Sequence, residues 1–331
     1  MEEKPRDEGS KGGVDKGEDS IRRQNLPTNR LGLLHVIVNP AAGQGQPVLN
    51  TINAVFQAVS LDWEVFITRK AGDARRLTRQ ALKAGADLVI AFGGDGTVME
   101  AASGLIESQV PLAILPGGTG NAFAAEFGIP VNLAEACELA INPQAALLRV
   151  DIGEINGRYH FLLRASAGFE ASMVQGANQE LKRRLGSFAY IFSALQALSH
   201  PEMAHYRLTL DGLQIDTQGL TCILANSGSL GKAGISLLPD IDVSDGLLDV
   251  LVVRKADLPS LISLVTNVVT ENEQRKNLLH WQAREIRLRS EPKQPVQVDG
   301  EILCSTPIRA RVIPQAVGII VPTVKRMNKP D

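Results

Sequence analysis

The chain has 331 residues, of which 44% are hydrophobic and 21% charged, and its formal net charge at pH 7 is −2. This length predicts two domains, and this composition is typical of a globular protein with an apolar core. The near-neutral charge provides no basic field for nucleic acid, so we expect no nucleic-acid partner. No apolar run is long enough to span a bilayer, and we expect no transmembrane segment.

The cysteines give information about the compartment. Cys137, Cys222 and Cys304 are scattered and form neither a metal-binding nor a disulfide pattern, which favours a reducing compartment. The first residues lack the apolar segment of a secretory signal. We therefore expect a cytoplasmic protein, and the sequence leaves its oligomeric state open, a homodimer included.

The first half of the chain alternates strands with helices. Residues 1–30 predict a disordered tail, because they carry too little apolar surface to offset the entropy of ordering. Strands are predicted over 31–38, 63–68, 88–92 and 111–115, and helices over 47–60, 71–84, 97–108, 121–127 and 133–141. This alternation predicts an α/β domain over 31–147 with a parallel sheet covered on both faces.

After residue 147 the strands follow one another directly. They are predicted over 149–155, 158–167, 206–210, 220–226, 247–253, 285–290, 296–298, 309–313 and 318–321, with a helix-rich segment over 178–199 between them. This order predicts a mainly antiparallel, β-rich second domain over 148–322, followed by a short tail over 323–331. The sequence leaves open whether the last strands pack back on the first domain.

The most informative feature is a glycine-rich turn, Gly93-Gly94-Asp95-Gly96-Thr97, between a predicted strand and a predicted helix. Glycines allow a ligand to approach the main chain closely, and N–H groups at a helix start bind phosphate. Asp95 can hold Mg²⁺ or orient an acceptor hydroxyl, and Thr97 can cap the helix or contact a phosphate. The sequence favours a phosphate site here over a purely structural turn.

Two further turns follow predicted strands of the same sheet. They are Asn39-Pro40-Ala41-Ala42-Gly43 and Pro116-Gly117-Gly118-Thr119-Gly120-Asn121. Ligands bind open α/β sheets at the carboxyl ends of the strands, so the three turns can converge on one nucleotide. Glu100 lies one helical turn after Thr97, and the sequence leaves open whether it belongs to this site or is an exposed acid favoured by the helix dipole.

The second half contains two acidic turns and one isolated acid. Asp242-Val243-Ser244-Asp245-Gly246-Leu247 is an ordinary turn or a site for a hard cation, and taken alone the turn is favoured. Asp299-Gly300-Glu301 alone reads as a hairpin turn. Asp151 lies near the domain boundary and either joins a site there or pairs with Arg149.

A basic cluster, Lys182-Arg183-Arg184, precedes an apolar stretch with helical spacing over 185–198. Such a segment can lie on an anionic membrane, although a helix that packs in the core with a solvated start is favoured. The five histidines have no metal-ligand spacing.

Taken together, these motifs and their order resemble the diacylglycerol kinase catalytic-domain family, specifically the soluble bacterial lipid kinases, with sphingosine kinases more distant. The resemblance runs from about Leu33 to Pro322 and includes the end of the 63–68 strand at Thr68 with Gly72-Asp73-Ala74. It implies that ATP binds between the two domains, and that the protein acts on a membrane lipid at the bilayer surface. The implied ATP-binding residues are Asn39, Pro40, Ala41, Ala42, Gly43, Thr68, Gly93, Gly94, Asp95, Gly96, Thr97, Glu100, Gly118, Thr119 and Asn121.

The same resemblance implies metal and catalytic roles. Asp95 and Asp151 belong to a network of acids and waters around Mg²⁺. A second, structural Mg²⁺ lies near the side chain of Asp245 and the backbone carbonyls of Asp242 and Leu247. Glu301 is the implied general base, with Asp299 beside it.

One position departs from the family pattern. Many bacterial relatives have Asp after the Asn of the third turn, whereas this chain has Ala122, as in the sphingosine kinase version. Taken as a whole, the resemblance implies an ATP-dependent lipid kinase, with diacylglycerol as the favoured acceptor. Two alternatives stay open: an NAD kinase, whose family shares the first glycine turn, and a non-catalytic lipid or nucleotide sensor, which only Ala122 favours.

Overall fold

A computed structural model describes most of the chain. The described residues are 23–25, 32–43, 45–118, 120–168, 203–232, 235–236, 241–254 and 278–323. Three sequence predictions lie wholly or mostly outside them: Thr119 as a nucleotide ligand, the 178–199 segment with its basic cluster, and the two tails.

The first half alternates strands and helices as the sequence predicts. The elements are β1 (Arg23–Asn25), β2 (Leu33–Val38), α1 (Val48–Gln57), β3 (Asp62–Ile67), α2 (Asp73–Lys83), β4 (Leu88–Gly93), α3 (Asp95–Leu105), β5 (Leu112–Pro116), α4 (Ala122–Glu126) and α5 (Leu133–Ile141). All residues of β4 and β5 are buried, which fits the continuous apolar runs that strands covered on both faces require.

The second half is built of strands in the described residues. They are β6 (Ala146–Ile155), β7 (Tyr159–Phe161), β8 (Arg164–Gly168), β9 (Ala204–Leu210), β10 (Leu213–Gly219), β11 (Thr221–Ala225), β12 (Ser229–Lys232), β13 (Ile235–Ser236), β14 (Leu248–Val253), β15 (Leu278–Ala283), β16 (Glu285–Glu291), β17 (Pro295–Val298), β18 (Glu301–Ser305) and β19 (Ile308–Val321). The two-domain α/β class is confirmed: parallel strands first, antiparallel strands after them.

The larger sheet joins the two halves. Its strand order is β10-β9-β16-β19-β5-β4-β2-β3, with β6 paired to β19, β1 and β7. The long strand β19 runs antiparallel to β16 and β6 and parallel to β5, where Ile319 faces Leu112. β19 therefore extends the parallel sheet of the first half.

A second sheet has the order β15-β14-β11-β8-β17-β18 and is antiparallel throughout. It packs against β9, β16 and β19 around an apolar core that includes Tyr206, Leu248 and Ile286. A separate core, which includes Phe56, Phe92 and Phe123, lies between the parallel strands and their helices. The described residues thus form two separate cores, as a two-domain chain requires, and β6 and the end of β19 contribute side chains to the core between the parallel strands and their helices.

Among the differences from the predicted elements, three concern where strands begin, break or join. The predicted 158–167 strand is broken after Phe161, because the carboxylate of Asp299 binds the N–H groups of residues 162–164. The strands predicted over 309–313 and 318–321 are one strand with an irregularity between Ile313 and Val317. Residues Arg23–Asn25 of the predicted tail pair with β6, since backbone pairing does not require apolar side chains.

Candidate nucleotide and metal site

The three glycine-rich turns meet at one edge of the parallel sheet. They follow β2, β4 and β5, which are parallel neighbours, so their carboxyl ends lie side by side. The N–H of Asn39 donates to the carbonyl of Phe92 at 3.0 Å, and the N–H of Gly43 donates to the carbonyl of Gly117 at 2.7 Å. Backbone hydrogen bonds therefore fix the turns to one another.

The ring of Phe92 packs beneath two of these turns. A Cβ atom added at Gly43 would lie 2.6 Å from Cζ of Phe92, and one added at Gly117 would lie 2.7 Å from the same atom. Gly43 also has a φ of +63°, which favours glycine. Sequence reasoning missed Phe92; a large aromatic residue directly before a glycine pair was the only available signal.

The first and third turns contact each other through their backbones. A Cβ atom at Gly118 would lie 2.6 Å from the Cα atom of Gly94. These glycines are therefore required for close packing of the turns, whether or not a ligand is bound.

The start of α3 is different, because it is open. The N–H groups of Gly94, Asp95 and Gly96 have no acceptor among the described residues. A Cβ atom at Gly96 would have no described atom within 4 Å beyond its chain neighbours and its own helix backbone. Free N–H groups at the positive end of a helix form a site for an anion such as a phosphate.

Asn39 and Thr97 connect the first two turns. The side-chain amide of Asn39 donates to Oγ1 of Thr97 at 3.0 Å, and its Oδ1 accepts the N–H of Ala41, also at 3.0 Å. Asn39 therefore bends its own turn and orients the Thr97 hydroxyl. Pro40 and Ala41 are exposed beside it, and Ala42 is half-buried.

Asp95 lies between α3 and α4. Its Oδ1 accepts the N–H of Phe123 at 3.0 Å, and a Cβ atom at Gly120 would lie 3.2 Å from its Oδ2. Asn121, in a left-handed conformation, exchanges two 2.8 Å hydrogen bonds with the backbone of Gly118. Ala122 is the first residue of α4 and packs against the apolar core.

Thr68 directly follows β3, the next strand of the sheet, and Glu100 lies on α3. The two carboxylate oxygens of Glu100 accept the N–H groups of Gly72 at 2.6 Å and Ala74 at 3.0 Å, so Glu100 caps α2 from the neighbouring helix. The N–H of Thr68 donates to the carbonyl of Val38 at 3.0 Å. This geometry accounts for Glu100 without a nucleotide contact.

Asp299 and Gly300 form the two-residue turn of the β17–β18 hairpin, with φ angles of +42° and +98°. Positive φ at both positions is typical of a type I′ turn. The carboxylate of Asp299 accepts the N–H groups of Leu162, Leu163 and Arg164 at 2.9–3.1 Å. Burial raises the pKa of Asp299 to about 6, although these three N–H donors oppose the rise.

Glu301 follows this turn as the first residue of β18, an edge strand. Its side chain is exposed, and its carboxylate has no hydrogen-bond partner among the described residues. Glu301 is thus an available carboxylate on a turn that Asp299 fixes to the β7–β8 connection.

A buried polar chain links that connection to α3. His160 on β7 lies 3.1 Å through Nδ1 from the hydroxyl of Ser103 on α3, and 3.6 Å through Nε2 from Glu154. Arg311 donates to Glu154 at 2.7 Å. Burial and the positive charges of the nearby α2 arginines lower the pKa of His160. The helix that begins at Asp95 is therefore in contact with the strand next to the Asp299 turn.

Asp151 organises the acidic turn before β14. It is fully buried, and its carboxylate accepts the N–H groups of Gly246 and Gln315, both at 2.6 Å. The N–H of Asp151 donates to the carbonyl of Val243 at 2.7 Å. Burial raises the pKa of Asp151 above its ordinary value, and nearby Asp242 adds to the rise. The structure gives Asp151 no contact with Arg149, whose guanidinium bonds Ser108, Gln109 and Gln315.

The acidic turn brings several carboxylates close together. The Oδ1 of Asp245 accepts the N–H of Leu247 at 2.8 Å, and the Oδ1 of Asp242 accepts the N–H of Ser244 at 2.9 Å. Loss of solvation, together with the nearby Asp249, Asp242 and Asp151, raises the pKa of Asp245 to about 6. Carboxylate and carbonyl oxygens are the donors that Mg²⁺ prefers, so this turn fits a hard cation by its chemistry.

Two buried polar residues here were missed by sequence reasoning. The side-chain amide of Asn226 donates to the carbonyls of Asp151 at 3.0 Å and Leu162 at 2.8 Å, joining the two acidic elements. Asp249 lies 2.5 Å from Nε2 of His280, and its buried Oδ2 has no partner in the described part of the chain. Nothing in the sequence marks an Asn at the end of a buried strand. Within the described residues no three His, Cys, Asp or Glu side chains form a ready metal-binding group.

An α/β domain with glycine turns at its sheet edge, joined to an antiparallel domain with acidic turns, defines the class of protein. Residues 33–155 match the diacylglycerol kinase catalytic domain, and residues 164–321 match the YegS C-terminal NAD kinase beta sandwich-like domain. The chain belongs to the diacylglycerol kinase-like family of lipid kinases.

Individual relatives agree with this family. The chain is 33% identical over 285 residues to the "Probable lipid kinase YegS-like" of Pseudomonas savastanoi pv. phaseolicola, covering 81% of this chain and 90% of the relative. It is 28% identical over 272 residues to the diacylglycerol kinase of Bacillus subtilis, covering 80% and 88%. The crystal structure of a diacylglycerol kinase from Bacillus anthracis str. Sterne superposes with a TM-score of 0.73 at 29% identity, covering 89% and 98%.

None of the helices in the described residues is long and apolar enough to cross a membrane.

Proposed function

We propose that the protein is an ATP-dependent lipid kinase that transfers the γ-phosphate of ATP to the hydroxyl of a membrane lipid. Diacylglycerol is the favoured acceptor, and phosphatidic acid is then the product. The observation that carries the proposal is the open start of α3, where the N–H groups of Gly94, Asp95 and Gly96 lack acceptors among the described residues. Phosphoryl transfer depends mainly on positioning and charge stabilisation, which such groups supply.

ATP would bind across the carboxyl ends of β3, β2, β4 and β5. Its phosphates would accept hydrogen bonds from the start of α3, and the Thr97 hydroxyl, oriented by Asn39, would lie at the same helix start. Thr68, Gly118, Thr119 and Asn121 complete the proposed contacts from the neighbouring strand ends. The turn of Pro40, Ala41, Ala42 and Gly43 is proposed to line the ATP site, and Glu100 would act through α2.

Mg²⁺ would be held by carboxylates at two places. Asp95 and Asp151 are proposed for the reacting metal, and Asp245 with the carbonyls of Asp242 and Leu247 for a structural one. Loss of solvation and, after it, the neighbouring carboxylates raise the pKa of Asp245, which supports a cation there because a positive ion would relieve the repulsion among the carboxylates. When bound, Mg²⁺ neutralises the charge that develops on the transferring phosphate.

Glu301 is the proposed general base. The lipid hydroxyl oxygen would form a bond to the γ-phosphorus as the bond to the ADP oxygen breaks, and the hydroxyl proton would pass to the Glu301 carboxylate. General base catalysis of this kind contributes on the order of 10²–10⁴ in rate. Support comes from the absence of any partner for this carboxylate in the described residues, while Asp299 fixes the turn beside it.

A lipid acceptor requires the protein to work at a bilayer surface, so we propose a cytoplasmic protein that is peripheral to the membrane. The hairpin at Asp299 and Glu301 and the acidic turn at Asp245 favour a lipid acceptor over NAD. The names of the relatives from Pseudomonas savastanoi and Bacillus subtilis support the same choice.

The test is transfer of phosphate from labelled ATP with Mg²⁺ into separate dispersions of diacylglycerol, sphingosine, ceramide and phosphatidylglycerol, and into NAD. The proposal expects label in diacylglycerol. Label in another lipid would support the lipid kinase activity but identify a different acceptor. Label in NAD alone would overturn the proposal. ATP binding without transfer to any acceptor would favour a sensor.

A further inference from the structure

The solvent face of α2 and the loop before it concentrate positive charge. Between residues 69 and 83 the sequence has six cationic residues and one acidic residue, although the whole chain has 34 Lys and Arg against 36 Asp and Glu. The cationic residues are Arg69, Lys70, Arg75, Arg76, Arg79 and Lys83, and the acid is Asp73. This segment is therefore a local positive field on a nearly neutral protein.

The single acid does not neutralise the field. The carboxylate of Asp73 accepts the N–H groups of Arg69 at 2.9 Å and Lys70 at 3.2 Å and bonds the guanidinium of Arg76 at 3.1 Å. Among the described residues, no carboxylate lies within the 4.0 Å ion-pair distance of Arg75, Arg79 or Lys83. Within the described residues, Arg75, Arg79 and Lys83 therefore have no acidic partner.

These side chains line an open surface hollow of about 580 Å³. The described residues that line it are Gly72, Arg75, Arg76, Arg79, Gln80 and Lys83. Nε of Arg75 is buried and has no hydrogen-bond partner in the described part of the chain. A buried N–H donor without an acceptor is costly unless a ligand satisfies it.

The spacing along the helix adds to this cost. Arg75 and Arg79, and Arg79 and Lys83, are pairs of like charges four residues apart, which destabilise a helix. Burial and the charge of Arg79 lower the pKa of Arg75. An anion in the hollow would attract all three cations and so offset both repulsions, and guanidinium groups bind phosphate oxygens in a paired, planar geometry.

We propose that this hollow on α2 is an accessory binding site for a phosphate group carried by a small molecule or by a lipid headgroup. The hollow is separate from the glycine turns. Glu100 lies between the two places, since its carboxylate accepts the N–H of Gly72 at 2.6 Å. The proposal does not rest on the proposed kinase activity, and a phosphate bound here would not be the one transferred.

The test compares the full chain with two charge-matched variants. Arg79→Gln/Lys83→Gln removes two exposed cations of the hollow, and Arg287→Gln/Arg289→Gln removes two exposed cations of β16. Binding is measured by calorimetry with inorganic pyrophosphate, and by sedimentation with phosphatidylcholine vesicles with and without phosphatidic acid. Arg75→Gln serves as a further single variant, with thermal unfolding measured for all proteins.

We expect the α2 variant to bind at least about tenfold more weakly than wild type, and the β16 variant to bind as wild type does. Loss of pyrophosphate binding identifies a free phosphate as the source, and loss of binding only to vesicles with phosphatidic acid identifies a lipid headgroup; both support the site. Equal affinities for wild type and both variants would overturn it, as would equal losses in both variants. Phosphate transfer from ATP, measured in parallel, reports separately on the kinase proposal.

Discussion

The carboxylate of Asp95 accepts the backbone N–H of Phe123 at 3.0 Å, and so ties the first residue of α3 to the first turn of α4. The two glycine turns that precede these helices are thereby held in one arrangement. A residue proposed for metal and phosphate chemistry is also a structural link, so its substitution will affect stability as well as activity.

Gly96→Ala tests whether the space beside Gly96 is needed for the ligand or for packing of the protein. Outside its own helix, a Cβ atom here meets no atom of the described residues within 4 Å, and alanine in a helix is favoured over glycine by about 0.5–1 kcal/mol. We expect the free energy of unfolding of the variant to be higher than that of wild type. We also expect the variant to bind ATP much more weakly, because the methyl group occupies the proposed phosphate space. Chemical denaturation and nucleotide titration measure the two effects. Unchanged ATP affinity in a more stable variant would contradict the proposed phosphate position.

Gly117→Ala tests a glycine that is needed for packing and not for a ligand. Its methyl group would lie 2.7 Å from the Phe92 ring, so we expect a loss of about 1–3 kcal/mol in the free energy of unfolding. In a Phe92→Leu background the same change should cost at least about 1 kcal/mol less, since the ring is gone. A double-mutant cycle by urea unfolding measures this coupling. An equal cost in both backgrounds would mean that Phe92 does not limit the turn.

Glu100→Gln tests whether this acid serves the helix or the nucleotide. Glutamine keeps one acceptor but presents an amide donor to the second N–H at the start of α2, which costs about 1–3 kcal/mol. We expect reduced stability, whereas Glu138→Gln, an exposed acid of α5, should change stability by less than about 0.5 kcal/mol. A drop in ATP affinity with normal stability would instead assign Glu100 to the nucleotide.

The turn at Asp299 should make stability depend on pH. Its pKa in the folded protein is raised to about 6 from 3.8, so the folded state binds more protons than the unfolded state between these values. Stability from this group is therefore present at low pH and lost as the pH rises to about 6, by up to about 3 kcal/mol. We expect the free energy of unfolding of wild type relative to Asp299→Asn to fall between pH 4 and 6.5. A rise would mean that the three N–H donors outweigh burial.

Much of the fold could be predicted because the parallel strands are continuous apolar runs bounded by glycine. The strand at 88–92 is an example: the turn after it and its burial follow from the sequence. β10 was missed, since its residues are mostly polar and it is held by pairing with β9 rather than by its own pattern. β18 was missed for a similar reason, as a half-exposed edge strand.

For the candidate site, the sequence could predict which turns lie together but not the contacts between residues that are distant in sequence. The turns at Asn39, Gly93 and Gly118 lie together, because parallel neighbours bring their ends together. The roles of Phe92 and Asn226 depend on contacts between residues distant in sequence, which no local pattern contains. Glu100 illustrates the same limit, since its partners lie 26 and 28 residues away.

The most direct test of the account is phosphate transfer from labelled ATP to diacylglycerol by wild type, Asp95→Asn and Glu301→Gln. Asp62→Asn and Glu285→Gln, both exposed acids on other strands, are the matched controls. We expect wild type and controls to label the lipid and both site variants to lose at least about 100-fold in rate, with Glu301→Gln as stable as wild type because its carboxylate makes no bond in the described structure. A folded Glu301→Gln protein with near-normal turnover, or a folded wild type that labels no lipid, would contradict the account.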